Sequence, residues 1–116
     1  MRIDLNGDVG EASSRGAAGR DSSLMSHITS ANVACGFHAG NPEVMRATVI
    51  LAREHGVAVG AHPGFPDPDG FGRRELKFAA SDVEDFVAFQ IGSLAAIAAA
   101  EDVRLATSLG ARDYLT

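Results

Sequence analysis

GVAVGAHPGFPD, residues 56–67, decides the fold. A short apolar run, Val57 to Ala61, closes on His62 and then breaks at Pro63-Gly64, the pattern of a buried strand running into a turn. The same grammar occurs twice upstream, in DLNGDVGE (residues 4–11) and SANVACGFHAG (residues 30–40). Asp8, His38 and His62 therefore stand just past three successive strands. In a parallel β/α barrel all strand carboxyl ends open onto one face, so one pattern predicts one shared pocket.

The segments between these runs read as helices. Asn41-Pro42 is a helix start, since Asn can cap free N–H groups and proline's fixed φ suits the first helical position. A helix over 42–55 follows, with Val44, Ala47, Ile50 and Leu51 as its buried stripe and Gly56 as its left-handed stop. Val83, Phe86, Val87, Ile91, Leu94 and Ile97 recur at helical spacing along 82–100, opened by a capping box of Ser81 and Glu84. Strands are expected at 2–6, 31–35, 57–61 and 103–106, a short helix at 22–28, and a glycine-rich surface loop at 12–21. This β, α, β, α, β, α, β order predicts an α/β fold of parallel strands with covering helices, because a parallel connection needs a crossover long enough to hold a helix. A barrel and a doubly wound sheet both satisfy it. The absence of G-x-G-x-x-G after a strand, and of G-x-x-x-x-G-K-[ST], favours the barrel over nucleotide-binding sheets.

Composition narrows the function. With 116 residues and 46% hydrophobic content the chain can bury one core. A net charge of -5 offers no basic stripe for phosphates, so no nucleic-acid partner is expected. One cysteine and an N-terminus without a basic-then-apolar signal point to the cytoplasm. The longest low-polarity stretch, residues 91–100, is far shorter than the roughly 20 residues needed to cross a bilayer, so no membrane partner is expected.

On the first strand Asp4, Asn6 and Asp8 alternate onto one side, which would set carboxylates and an amide in a polar interior. Asn6-Gly7-Asp8 is equally good turn chemistry, so a plain turn is the competing reading. His38 lies between Gly36 and Gly40, where a ligand could approach the backbone, and His62 is held extended by Pro63. Asp8, His38 and His62 together form a donor set suited to a divalent metal such as zinc, manganese or iron. Arg73 and Arg74 follow Phe71-Gly72 and could clamp a carboxylate or phosphate, against the bland alternative of an exposed basic pair. His27 and His55 read as structural, and Cys35 as a small core residue.

DLNGDVGE, SANVACGFHAGNPEVM, GVAVGAHPGFPD and GFGRREL, in order over about residues 1–105, resemble the signatures of the LamB/YcsF family of 5-oxoprolinase A subunits. The resemblance implies a single domain that is part of a distorted parallel β/α barrel of the glycoside hydrolase/deacetylase type. It also implies ATP-dependent opening of the 5-oxo-L-proline lactam to glutamate, alongside 5-oxoprolinase subunits B and C. On this pattern Asp8, His38 and His62 are the catalytic residues, and Asp4, Asn6, Glu11, Arg73 and Arg74 line the substrate site. Two other readings stand beside it: a metal-dependent deacetylase or amidohydrolase acting alone, and a non-catalytic assembly module. Asn41 stands where the family has aspartate, a change between two good caps. Residues 106–116, ATSLGARDYLT, depart from the family's HVKPHGALYN-like continuation, as a one-nucleotide frame slip near Leu105 would produce. A full barrel takes about 250 residues. The chain is therefore expected to hold the first part of one, with an open sheet edge inviting homo-oligomerisation.

Overall fold

The computed structural model describes residues 3–12 and 19–106, with backbone alone for 19 and 20. Its elements run β1 (Asn6–Val9), α1 (Gly19–Met25), β2 (Ser30–Ala34), α2 (Pro42–His55), β3 (Ala58–His62) and α3 (Ala80–Ala100). The strands form one parallel sheet in the order β1-β2-β3, the sequential order that the opening portion of a β/α barrel has.

Register sorts the side chains into two faces. Val9, Val33 and Ala61 stand abreast, as do Gly7, Ala31 and Val59 one step away on the same face. Val9, Ala31, Val33, Val59 and Ala61 are buried with Met25, Met45, Val49, Ala52, Leu94 and Ala98 from the helices, and this is the core. The opposite face carries Asn6 with Ser30, Asp8 with Asn32, and Ala34 with His62.

Several boundaries differ from the sequence-based expectation. The first strand begins at Asn6 instead of ending there, so Asn6-Gly7-Asp8 is strand and not turn. Pairing with Ser30, Ala31 and Asn32 overrides the local turn preference. Ile3 and Leu5 are exposed, although the Leu5 backbone is still tied to Thr29 and Ser30. β2 and β3 are each displaced by one residue from 31–35 and 57–61, which brings His62 into the strand itself. α1 starts at Gly19, earlier than the expected 22; of the loop expected at 12–21, residues 13–18 lie outside the described residues.

α2 keeps its predicted bounds. Asn41 caps it by accepting from the Val44 N–H at 3.0 Å, and Gly56 closes it at φ 67°. Its buried face is Val44, Met45, Thr48, Val49 and Ala52, whereas Ala47, Ile50 and Leu51 are only half-buried. The shift arises because Thr48 is buried with its hydroxyl donating to the Val44 carbonyl at 2.7 Å, a polar residue made acceptable inside the stripe.

α3 begins at Ala80, so Ser81 falls inside the first turn and the box expected from Ser81 and Glu84 gives way to Asp82 accepting from the Ala79 N–H. Val87, Gln90, Leu94 and Ala98 form its buried line, with Val83, Phe86, Ile91 and Ile97 half-buried on the flanks. With 21 residues it exceeds the 91–100 stretch and is long and apolar enough, by length and composition alone, to cross a membrane. In this fold Leu94 and Ala98 spend that apolarity on the core. Glu101 then ties α3 to α2 through Arg46 at 2.7 Å and Arg53 at 3.4 Å.

The fourth strand expected at 103–106 is not formed among the described residues, because Val103 N–H turns back to the Ala98 carbonyl. Ala106 bonds to the sheet, donating to the Val59 carbonyl at 2.8 Å, while Val103 and Leu105 pack against the core. The divergent segment 107–116 lies outside the described residues.

Leu94 is wholly buried between α3 and the sheet. Leu94→Ala should lower unfolding free energy by about 2–5 kcal/mol, measurable by urea denaturation, since the cavity left cannot fully collapse.

Candidate active site

The three loops that leave β1, β2 and β3 meet over the polar face of the sheet. His38, from the Gly36–Gly40 turn, is only 4% exposed, and its ring lies 4.8 Å, centre to centre, from that of His62 at the end of β3. Glu11, just beyond β1, brings Oε2 to 3.6 Å from His38 Nε2. Asp8 Oδ1 lies 3.6 Å from His62 Nδ1. One donor atom each from Glu11, His38 and His62 fall within 4.8 Å of one another. Asp8 stands behind that trio, against His62, so two carboxylates and two imidazoles converge.

The electrostatics favour a neutral His38 imidazole beside a carboxylate. Burial, reinforced by neighbouring His62 and opposed by Asp8, pushes the His38 pKa down to about 4. Burial, then repulsion from Asp8, holds the Glu11 carboxyl above its usual range, with His62 and Arg73 pulling the other way. Both ring nitrogens of His38, and Nδ1 of His62, are buried without a hydrogen-bond partner. A dry polar atom left unpaired is costly and calls for a ligand or a reacting group.

A second tier of residues fixes these groups. Asn32 is buried on β2 and donates from Nδ2 to Asp8 Oδ1 at 3.2 Å and to Asn6 Oδ1 at 3.1 Å. Gln90, wholly buried on α3, accepts from the Gly64 N–H and donates to the Gly64 carbonyl, each at 2.9 Å. That clamp presses Gly64 onto the imidazole: a Cβ there would come 2.3 Å from His38 Nδ1. Phe71, held at φ 56°, sets its ring edge-on to His38 at 5.3 Å. A non-glycine residue in that region costs of order 1–3 kcal/mol, which the surrounding loop must supply.

The two arginines part company. Arg74 forks onto the buried carboxylate of Asp67, which also accepts from the Gly70 N–H, so it braces the loop after β3. Arg73 lines the cleft with its guanidinium 5.8 Å from the Phe71 ring centre. The cleft, about 160 Å³, is walled by Glu11, His38, His62, Phe71 and Arg73 and suits a small molecule.

Other expected site residues sit elsewhere. Asp4 lies at the opposite end of β1, accepting from Thr29 and Ser30 hydroxyls, and Asn6 pairs with Asn32 below Asp8. His27 and His55 are exposed, and Cys35 is core, its thiol donating to the Val33 carbonyl and pushed up to about 11 by burial. Asn32 and Gln90 escaped the sequence reading. The signals were an amide inside the apolar run SANVAC and an amide between Val87 and Leu94 on the buried line of α3.

Comparisons with known proteins identify the family and the fold. A model of the LamB/YcsF family matches residues 3–108. A 5-oxoprolinase A subunit from Pyrococcus abyssi (strain GE5 / Orsay) is 54% identical over 105 residues, covering 90% of this chain and 41% of that protein. The protein of the same name from Staphylococcus carnosus (strain TM300) is 50% identical over 105 residues, covering 90% and 42%. The crystal structure of a lactam utilization protein from Thermus thermophilus superposes with a TM-score of 0.86 at 50% identity, over 90% of this chain and 42% of that one. The chain thus spans about two fifths of the length of these relatives.

Two outcomes test the supporting residues. Gln90→Leu strands the buried N–H and carbonyl of Gly64 and should destabilise the fold by about 1–3 kcal/mol in urea titration. Cys35 should react negligibly with iodoacetamide at pH 8 in the folded chain and readily once unfolded, because only the thiolate attacks and burial suppresses it.

Proposed function

The chain belongs to the LamB/YcsF family, and from that premise we propose that its cleft serves the opening of a small cyclic amide, 5-oxo-L-proline, to L-glutamate. The observation that carries this reading is the convergence of Glu11, His38, His62 and Arg73 on one small cleft, with Asp8 against His62. An amide is a poor electrophile, so ATP is proposed to activate the lactam oxygen by phosphorylation, in concert with 5-oxoprolinase subunits B and C. Water then attacks the ring carbon while a carboxylate takes its proton, the C–N bond breaks as the ring nitrogen gains a proton, and a second water cleaves the resulting acyl phosphate to glutamate and inorganic phosphate. Asp8 is the proposed base, because Asn32 orients it and its carboxylate is exposed beside His62. His38 and His62 are proposed to flank the amide as hydrogen-bond partners or ligands. A divalent metal held there would polarise the carbonyl.

Arg73 is proposed to bind the carboxylate of 5-oxoproline, since it is the cleft's guanidinium while Arg74 is committed to Asp67. Use of ATP fits work in the cytoplasm.

The test is glutamate release from 5-oxo-L-proline by the full chain, with and without ATP and with subunits B and C supplied. Release that needs ATP and all three components is expected. Release without ATP would favour an amidohydrolase acting alone, and none under any condition would favour an assembly module. Where release is seen, Arg73→Met should raise KM for 5-oxo-L-proline about 10- to 100-fold and barely alter kcat, as loss of one charge-assisted fork implies. An unchanged KM would remove Arg73 from the substrate site.

A further inference from the structure

We infer that Glu11, His38 and His62 form a three-ligand site for a divalent transition metal, with Asp8 as the outer carboxylate that orients His62. This rests on the same cleft as the proposed reaction, but its chemistry is separable from it. Two imidazoles and one carboxylate, with one side left open, is a ligand set that catalytic zinc sites use. Their donor atoms already lie within 4.8 Å of one another. Tetrahedral metal bonds of about 2.1 Å place ligand atoms about 3.4 Å apart, so the widest pair would close by about 1.4 Å, a side-chain adjustment.

The second, independent observation is the state of the imidazoles. His38 is 4% exposed, and neither of its nitrogens has a hydrogen-bond partner; Nδ1 of His62 is in the same condition. A core histidine kept for packing would have its N–H satisfied. A metal bond would satisfy one of the unpaired His38 nitrogens, and all three residues of the trio line the cleft. Asp8 Oδ1, 3.6 Å from His62 Nδ1, needs to approach by only a few tenths of an ångström to accept that N–H as an outer carboxylate, which would leave the lone pair on Nε2 for the metal. Asn32 holds Asp8 in turn. Glu11 therefore takes the ligand place and Asp8 the orienting one, a division of labour that strand spacing alone could not assign. Imidazole donors favour zinc, iron, nickel or copper over magnesium and calcium.

The test uses the full chain stripped with chelator and titrated with Zn²⁺ alone by calorimetry, with Co²⁺ absorption in the visible reporting nitrogen coordination. One equivalent should bind. Glu11→Gln and His62→Asn should each weaken binding at least about 100-fold, and Asp8→Asn about 10-fold, the range of an outer-shell partner. Circular dichroism establishes that each variant is folded, and His27→Asn combined with His55→Asn, both on the surface, should leave binding unchanged. The inference is overturned by no saturable binding, by an affinity indifferent to Glu11→Gln or His62→Asn, or by binding that disappears with His27 and His55. Because no nucleotide or lactam is present, a negative result here leaves the glutamate-release experiment to judge the reaction by itself.

Discussion

Parallel pairing of β1, β2 and β3 is the constraint on which everything else in this chain depends. It points three carboxyl ends the same way, so Glu11, His38 and His62 meet although they are far apart in the chain. It also sorts alternate residues, sending Val9, Val33 and Ala61 to the helices and Asp8 and Asn32 to the opposite face. Slipping any strand by one position would exchange those sets, burying the carboxylate in the core and exposing the valines. The apolar cost of that error is what makes the polar cluster's position firm.

A second layer turns proximity into geometry. Gln90 grips both backbone groups of Gly64, Gly64 abuts His38, and Phe71 packs its ring edge against the same imidazole. The Asp67–Arg74 fork keeps the connecting loop in place. These contacts exclude water from His38, and that dryness is what lowers its pKa and raises that of Glu11. Core packing and site electrostatics are thus one arrangement: α3 contributes Leu94 to the core and Gln90 to the site from one buried line.

Much of this was legible in the residues. Three apolar runs ending in polar turns announced parallel strands, and Asn41-Pro42 with Gly56 bracketed α2 at its observed bounds. The failures share a cause. Asn6-Gly7-Asp8 looks like a turn and is a strand, because its pairing partners are more than 20 residues away. Thr48 and Gln90 were passed over as core positions because a polar side chain reads as surface until its hydrogen-bond partner is known. Val103 was expected in a strand, yet a backbone bond to Ala98 holds it at the helix end.

The sequence by itself determined the order and type of elements, the family, and the histidines and carboxylates gathered at strand ends, because those follow from local periodicity, turn chemistry and motif. Only the tertiary structure decided which of them touch. It set Glu11 with His38, put Asp8 behind His62, separated Arg73 from Arg74, and revealed Asn32 and Gln90 as supports. The physical reason is that side-chain contact, burial and dielectric are properties of strand register and loop packing. Those depend on residues distant in the chain.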